Sequence, residues 1–181
     1  MADIGTAALR ARRPQPGDYA PYYAGYIERV PDGDIIETLR GGIEPMRALL
    51  SGLNEAQERY RYGPDKWSVR EAIGHLTDTE RVFASRLVWF ARGDGGPLPG
   101  MDQDGWVATD SADERPLAHH IEEWVAVRTS VILLLEGLDA AAWGREGVAS
   151  GVRFTVSALA WVIAGHEQHH RRLFVERYGL S

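Results

Sequence analysis

The stretch Val156-Ser-Ala-Leu-Ala-Trp-Val-Ile-Ala-Gly-His-Glu-Gln-His-His-Arg-Arg-Leu-Phe-Val-Glu-Arg177 decides the fold. Val156, Leu159, Ile163, His166, His170, Leu173 and Arg177 recur at alternating steps of three and four, the spacing of a helix that packs against other helices. His166 and His170 therefore project from one face, one turn apart, inside an apolar seam. Burying a polar group without a partner costs roughly 1–3 kcal/mol, so two imidazoles in a seam need a reason. A divalent metal supplies one, because each ring offers a lone pair as ligand. A lone histidine on such a face is more often a hydrogen-bonded core residue, and i, i+4 pairs also arise by chance. A metal needs further ligands, and His75, His119, His120 and His169 are the remaining histidines.

Three more helices are legible upstream. The first spans about residues 34–51, with Asp34 and Glu37 as a capping pair and Ile35, Leu39, Ile43, Met46, Leu50 and Leu53 as its stripe. Gly41, Gly42 and Pro45 lie inside it and predict a kink or a late start. The second opens on the capping box Ser68-Val-Arg-Glu71 and ends near Arg92-Gly93. Its buried face is Val69, Ile73, Leu76, Phe83, Leu87 and Phe90, with Glu80 where another apolar residue belongs. The third runs from about Glu114 to Gly137, with Ser111-Ala-Asp-Glu114 as a candidate capping box. His119 and His120 sit in its first turn and read as surface residues.

Residues 1–33 read as an irregular extension packing on residues 34–181. Pro14, Pro16, Pro21 and Pro31 break helices there, and Tyr19, Tyr22, Tyr23 and Tyr26 offer rings for docking. The Gly/Pro-rich loop 93–106 is long for a bundle, and reads as a packed connector or as a lid carrying Asp102, Asp104 or Trp106. Turn residues between Trp143 and Phe154 allow a minor hairpin. The last helix closes with Gly179. Four amphipathic helices without a sheet imply an all-α four-helix bundle.

At 181 residues the chain is long enough for one domain with its own core. A composition of 44% hydrophobic and 25% charged residues is globular. The absence of cysteine excludes disulfides and thiolate metal sites, leaving histidine and carboxylate as ligands. The net charge of −6 argues against a nucleic-acid partner. Val131-Ile-Leu-Leu-Leu135 is too short to span a membrane, and residues 1–10 carry no secretory pattern, so a cytoplasmic location is expected.

Lys66-Trp-Ser-Val-Arg-Glu71, Gly74-His-Leu-Thr-Asp-Thr-Glu-Arg81, Leu98-Pro-Gly-Met-Asp-Gln-Asp104 and Gly165-His-Glu-Gln-His-His-Arg171 stand in this order. In these motifs the chain resembles the DinB-like superfamily of metal-binding four-helix bundles, over roughly residues 34–180. The resemblance implies that His75, His166 and His170 bind one divalent metal ion, zinc or nickel. On the last helix, geometry also favours His170, because His169 points about 90° from the stripe; His169 is left as a flanking residue or as one that supports a ligand from behind. On the second helix, periodicity alone selects Glu80, and His75 rests on the resemblance. Glu80 is read as a fourth ligand, an acceptor for a ligand imidazole N–H, a general base near bound water, or a partner of Arg81, Arg86 or Arg128, with the N–H acceptor and the structural partner favoured, and Asp78 as a solvated or capping residue.

Three nitrogen ligands leave a zinc-like ion an open position, the arrangement of a catalytic site. The resemblance implies either a transferase that activates a small thiol against an electrophilic substrate or a hydrolase that activates water. The other expectation is a non-catalytic bundle whose ion is structural or mediates association. Homodimerisation is expected from the tyrosine-rich segment and the resemblance.

Overall fold

A computed structural model describes residues 4–181; the first three residues of the expected extension lie outside the described residues. In chain order the elements are α1 (Ile4–Ala11), a 3-10 turn (Pro21–Tyr23), α2 (Ala24–Ile27), α3 (Ile35–Gly41), α4 (Ile43–Leu50), α5 (Glu55–Glu58), α6 (Val69–Ala91) and α7 (Gln103–Thr109). A second 3-10 turn (Ala112–Glu114) leads into α8 (Leu117–Glu136) and α9 (Ala140–Trp143). The hairpin β1 (Glu146–Ala149) and β2 (Val152–Thr155) precedes α10 (Val156–Glu176). The bundle is four-helical: α3 with α4 forms the first helix, and α6, α8 and α10 the other three.

The first helix breaks at Gly42, where the sequence carries two adjacent glycines. A Cβ at Gly42 would stand 2.5 Å from the Glu167 carboxylate of α10, so a larger residue there would have to displace that side chain. Helix α6 begins as its sequence predicts. The Ser68 hydroxyl accepts from the Glu71 N–H, and the Glu71 carboxylate accepts from the Ser68 N–H. Ser68 also donates to Asp113 at 2.6 Å, tying the start of α6 to the turn before α8. Helix α10 ends at Glu176; Gly179 is left-handed at φ 70°, and the Leu180 N–H returns to the Phe174 carbonyl.

Three expectations change. The N-terminal segment is not irregular throughout, because α1 lies upstream of the first proline and Pro21 opens a 3-10 turn, where its missing N–H costs nothing. Ser111 is left-handed (φ 53°) and caps nothing. Pro116 holds Arg115 extended and delays the helix to Leu117. His120 is fully buried, with Nε2 2.9 Å from the Ala112 carbonyl oxygen; His119 is exposed as expected.

The hairpin turns at Ser150-Gly151 and pairs Glu146 with Thr155. Loop 93–106 packs along it: the Leu98 N–H bonds to the Val148 carbonyl, and the Ser150 N–H to the Leu98 carbonyl. Much of that loop is therefore a connector, and its end becomes α7, capped by Asp102. Tyr23 packs edge-on against Phe154 with ring centroids 4.9 Å apart, which seats the N-terminal segment on the bundle; Tyr22 stays exposed. Among the described residues no helix is long and apolar enough to cross a membrane.

Candidate metal centre

Helices α6 and α10 pack side by side, and each contributes to two buried polar clusters. His75 of α6 and His166 and His170 of α10 come together so that one nitrogen from each ring lies within 4.8 Å of the others. All three are buried, and Nε2 of His166 lies 3.2 Å from Nε2 of His170. Two nitrogens bound at about 2.0–2.1 Å in a tetrahedron stand about 3.3 Å apart, so this spacing fits a shared zinc-like ion.

Electrostatics favour the same use. Burial, the largest cause, pushes the pKa of His75 down to about 4, and nearby His169 adds to the effect. His166 and His170 are also held well below the usual histidine range, first by burial and then by neighbouring histidines. Near neutral pH the rings are uncharged, with the lone pairs that ligation requires.

Aromatic neighbours hold the rings in place. Trp67, one residue before the cap of α6, stacks obliquely on His75 with centroids 4.6 Å apart. Its carbonyl accepts a 2.9 Å hydrogen bond from the Tyr178 hydroxyl beyond α10, so Trp67 is fastened from both helices. Tyr26 stands edge-on to His166 at 5.4 Å and to His169 at 5.5 Å. Thr79, one turn beyond His75, places its hydroxyl 3.4 Å from Nδ1.

The cluster opens to solvent through a cleft with two lobes that share His75, His166, Tyr22, Tyr26 and Gln103. One lobe, of about 250 Å³, passes Lys66, Trp67, Asp104, His170 and Tyr178. The other, of about 330 Å³, runs past Thr79, Phe83 and Met101 to Arg86 and Ser150.

Glu80, the residue that periodicity selects, faces α8 instead. Arg128 donates to its two oxygens at 2.5 and 2.9 Å, and the Trp124 indole donates at 3.1 Å. Helix α6 has a neighbour on each side, so His75 and Glu80 both lie inside while facing different helices. Of the partners foreseen for Glu80, Arg128 is the one found. Asp78 is half-buried and pairs with Arg81 at 3.2 Å. His169 is half-buried at the cleft rim, its ring 5.3 Å from that of His170. Asp104 reaches the cleft, Asp102 caps α7, and Trp106 is exposed.

Sequence reasoning gave the N-terminal tyrosines a packing role first and the lining of a ligand site or an oligomer interface second; Tyr22, Tyr23 and Tyr26 all line the cleft. A usable signal was Gly165, a glycine in mid-helix. A Cβ there would lie 2.1 Å from the Tyr26 carbonyl oxygen, so its absence lets the N-terminal segment press against α10 beside His166.

Four helices with three buried histidines between two of them define a four-helix-bundle protein with a candidate metal centre. The family model of the DinB superfamily matches residues 38–174, and the chain belongs to that superfamily. A protein of Geobacillus kaustophilus (strain HTA426) named "Putative metal-dependent hydrolase GK0616" is 27% identical over 139 residues, spanning 75% of this chain and 77% of that protein. One of Geobacillus thermodenitrificans (strain NG80-2), named "Putative metal-dependent hydrolase", is 23% identical over 137 residues with the same coverage. The solved structure of YfiT from Bacillus subtilis, described as "a probable metal-dependent hydrolase with an unusual four-helix bundle topology", superposes with a TM-score of 0.73. It covers 81% of this chain and 87% of that one at 16% identity, a likeness of fold.

Proposed function

We propose that this chain is a metal-dependent enzyme in which His75, His166 and His170 hold one divalent ion, zinc or nickel, for reaction of a small electrophilic substrate with a small thiol or water. The observation that carries this reading is the buried, uncharged histidine cluster at the floor of an open cleft. When bound, the ion would lower the pKa of a water or thiol in its open position and so supply a nucleophile near neutral pH.

The chain's own residues do the rest. His75, His166 and His170 stay neutral through burial and present lone pairs toward one point. Trp67 and Tyr26 fix ring orientation and narrow the cleft. His169 stands at the rim as a neutral ring, since burial and then the nearby Arg29 and Arg172 hold its pKa below the ordinary value. The relatives' names favour water as the nucleophile. The two-lobed cleft favours a second substrate, with room for a thiol on one side of the histidines and an electrophile on the other.

An ion serving only the fold would use a fourth protein ligand. Among the described residues the cluster contains three histidines and no carboxylate, and Glu80 is engaged by Arg128 and Trp124. This supports an open position and the catalytic reading over the structural one.

The test is elemental analysis of untagged protein after metal loading and desalting, followed by turnover with ester, amide and thiol-plus-electrophile panels. One ion per chain with metal-dependent turnover in one panel is expected. An ion retained without turnover in any panel leaves the non-catalytic module; no retained ion removes the metal reading altogether.

A further inference from the structure

The larger lobe of the cleft ends on an arginine that meets no acidic group among the described residues; the Phe83 ring, 5.3 Å from its guanidinium carbon, offsets part of its charge. Arg86 is 4% exposed. Its Nη2 donates to the Pro99 carbonyl at 2.9 Å and to the Ser150 hydroxyl at 2.7 Å, and the Tyr23 phenol stands beside it. Its Nε has no hydrogen-bond partner. Every one of these contacts is neutral. Among the described residues Arg86 forms no ion pair, and no Asp or Glu lines the lobe. Two neutral acceptors can be satisfied by an amide side chain; they do not explain a buried guanidinium, whose desolvation costs several kcal/mol unless an anion compensates it.

We infer that Arg86 is the anchor for a carboxylate on the substrate, which it holds in the larger lobe while the other end of the molecule reaches the histidines. The inference rests on the functional reading above, because it names the substrate class for that same site. A carboxylate fits better than a phosphate, since the lobe offers one cation, no second basic side chain outside the histidines, and walls of Tyr23, Val82, Phe83 and Met101. The length follows from the helix. Arg86 lies eleven residues beyond His75, about 16 Å of rise, and helical side chains lean back toward the N-terminus. The acid therefore carries several bonds between its carboxylate and its reacting atom. Ser150 at the hairpin turn and Pro99 in the preceding loop are positioning residues, holding the guanidinium across the end of the lobe.

The experiment compares binding of 4-phenylbutyrate and its neutral amide to the full chain by nuclear magnetic resonance, metal-free and zinc-loaded, in wild type, Arg86→Gln and Arg86→Lys. Metal-free wild type should prefer the acid by about tenfold or more, the size of one charge-assisted hydrogen bond. Arg86→Gln should erase the preference, and Arg86→Lys should keep part of it. A preference that survives Arg86→Gln, or that arises only after zinc loading, places the acid elsewhere and overturns the inference. Should Arg86→Gln fail to fold, the Nε–H resonance of Arg86 in wild type decides: it must move with the acid and not with the amide. Because the decisive comparison is made without metal, the carboxylate preference can stand if the metal reading fails, and can fail while the metal reading stands.

Discussion

Helices α6 and α10 each place at least one polar residue into each of two buried clusters of opposite character. Glu80 of α6 and Glu167 of α10 meet Arg128 of α8, which binds both Glu80 oxygens and donates to the Leu39 carbonyl at 3.2 Å; Arg128 Nη1 lies 3.7 Å from Glu167. His75 and His166, on the same helices, meet His170, with one nitrogen of each ring within 4.8 Å of the others. The first cluster draws its opposite charges from the protein itself and opens into none of the cleft. The second has lone pairs to spare and faces the cleft. Opposite charges from the chain tie the first cluster to the architecture, and three neutral rings open to a cleft leave the second available to a ligand.

The hardest test of this contrast is Arg128→Met. It leaves Glu80 buried without its cation and Glu167 with only Arg171, 3.8 Å away, and we expect a loss of about 3–5 kcal/mol in urea unfolding, with metal content per folded chain unchanged. A loss below about 1 kcal/mol, within the range of an exposed ion pair, would mean that the two clusters do not differ in kind.

Acid should act on the histidines. His75 titrates near 6.5 in the unfolded chain and at about 4 in the fold, because burial disfavours the cation. Above pH 6.5 both states are neutral and the full stability is present. As pH falls from about 6.5 to 4 the unfolded chain takes up a proton that the fold refuses, so metal-free protein should lose on the order of 3 kcal/mol across that window from this residue. His120, His166 and His170 are depressed in the same direction and add to the loss. Denaturation of metal-free protein between pH 7.5 and 4.5 checks this, and His75→Ala should flatten the slope. A stability that rises as pH falls would contradict a neutral cluster.

How much of this contrast the sequence carries depends on the range of the interaction. The four helices, the Ser68 box, the left-handed Gly179 and the seam holding His166 and His170 all follow from local spacing. His120 was readable too, since it lies three residues after Leu117 and four before Trp124; its place in the first turn hid it. Whether His75 or Glu80 meets α10 depends on which neighbour covers each flank of α6, and one-dimensional periodicity does not contain that. Tyr26 and Arg86 reach the cleft through contacts between distant parts of the chain. Only Gly165, and the Arg86 guanidinium in a stripe with Phe83, Leu87 and Phe90, hinted at either.

Metal linkage separates the clusters in another way. Zinc at a hundredfold excess over its dissociation constant should stabilise wild type by about 2.7 kcal/mol, and chelator should remove that increment. His166→Ala should show none of it, and Arg128→Met, if folded, all of it. An equal gain in His166→Ala would locate the ion away from the cluster.

The smallest effect sharpens the comparison most, because it divides two neighbours. His169 and His170 are adjacent, yet His170 lies in the seam beside His75 and His166, while His169 is half-buried at the rim against Tyr26. Removing a partly exposed ring that bonds to nothing buried should change stability by no more than about 0.5 kcal/mol. His169→Ala should therefore keep one ion per chain and nearly the wild-type unfolding curve, whereas His170→Ala should lose the ion. Loss of the ion in His169→Ala with retention in His170→Ala would reverse the assignment, and the helix face carrying the ligands would have to be redrawn about 100° around α10.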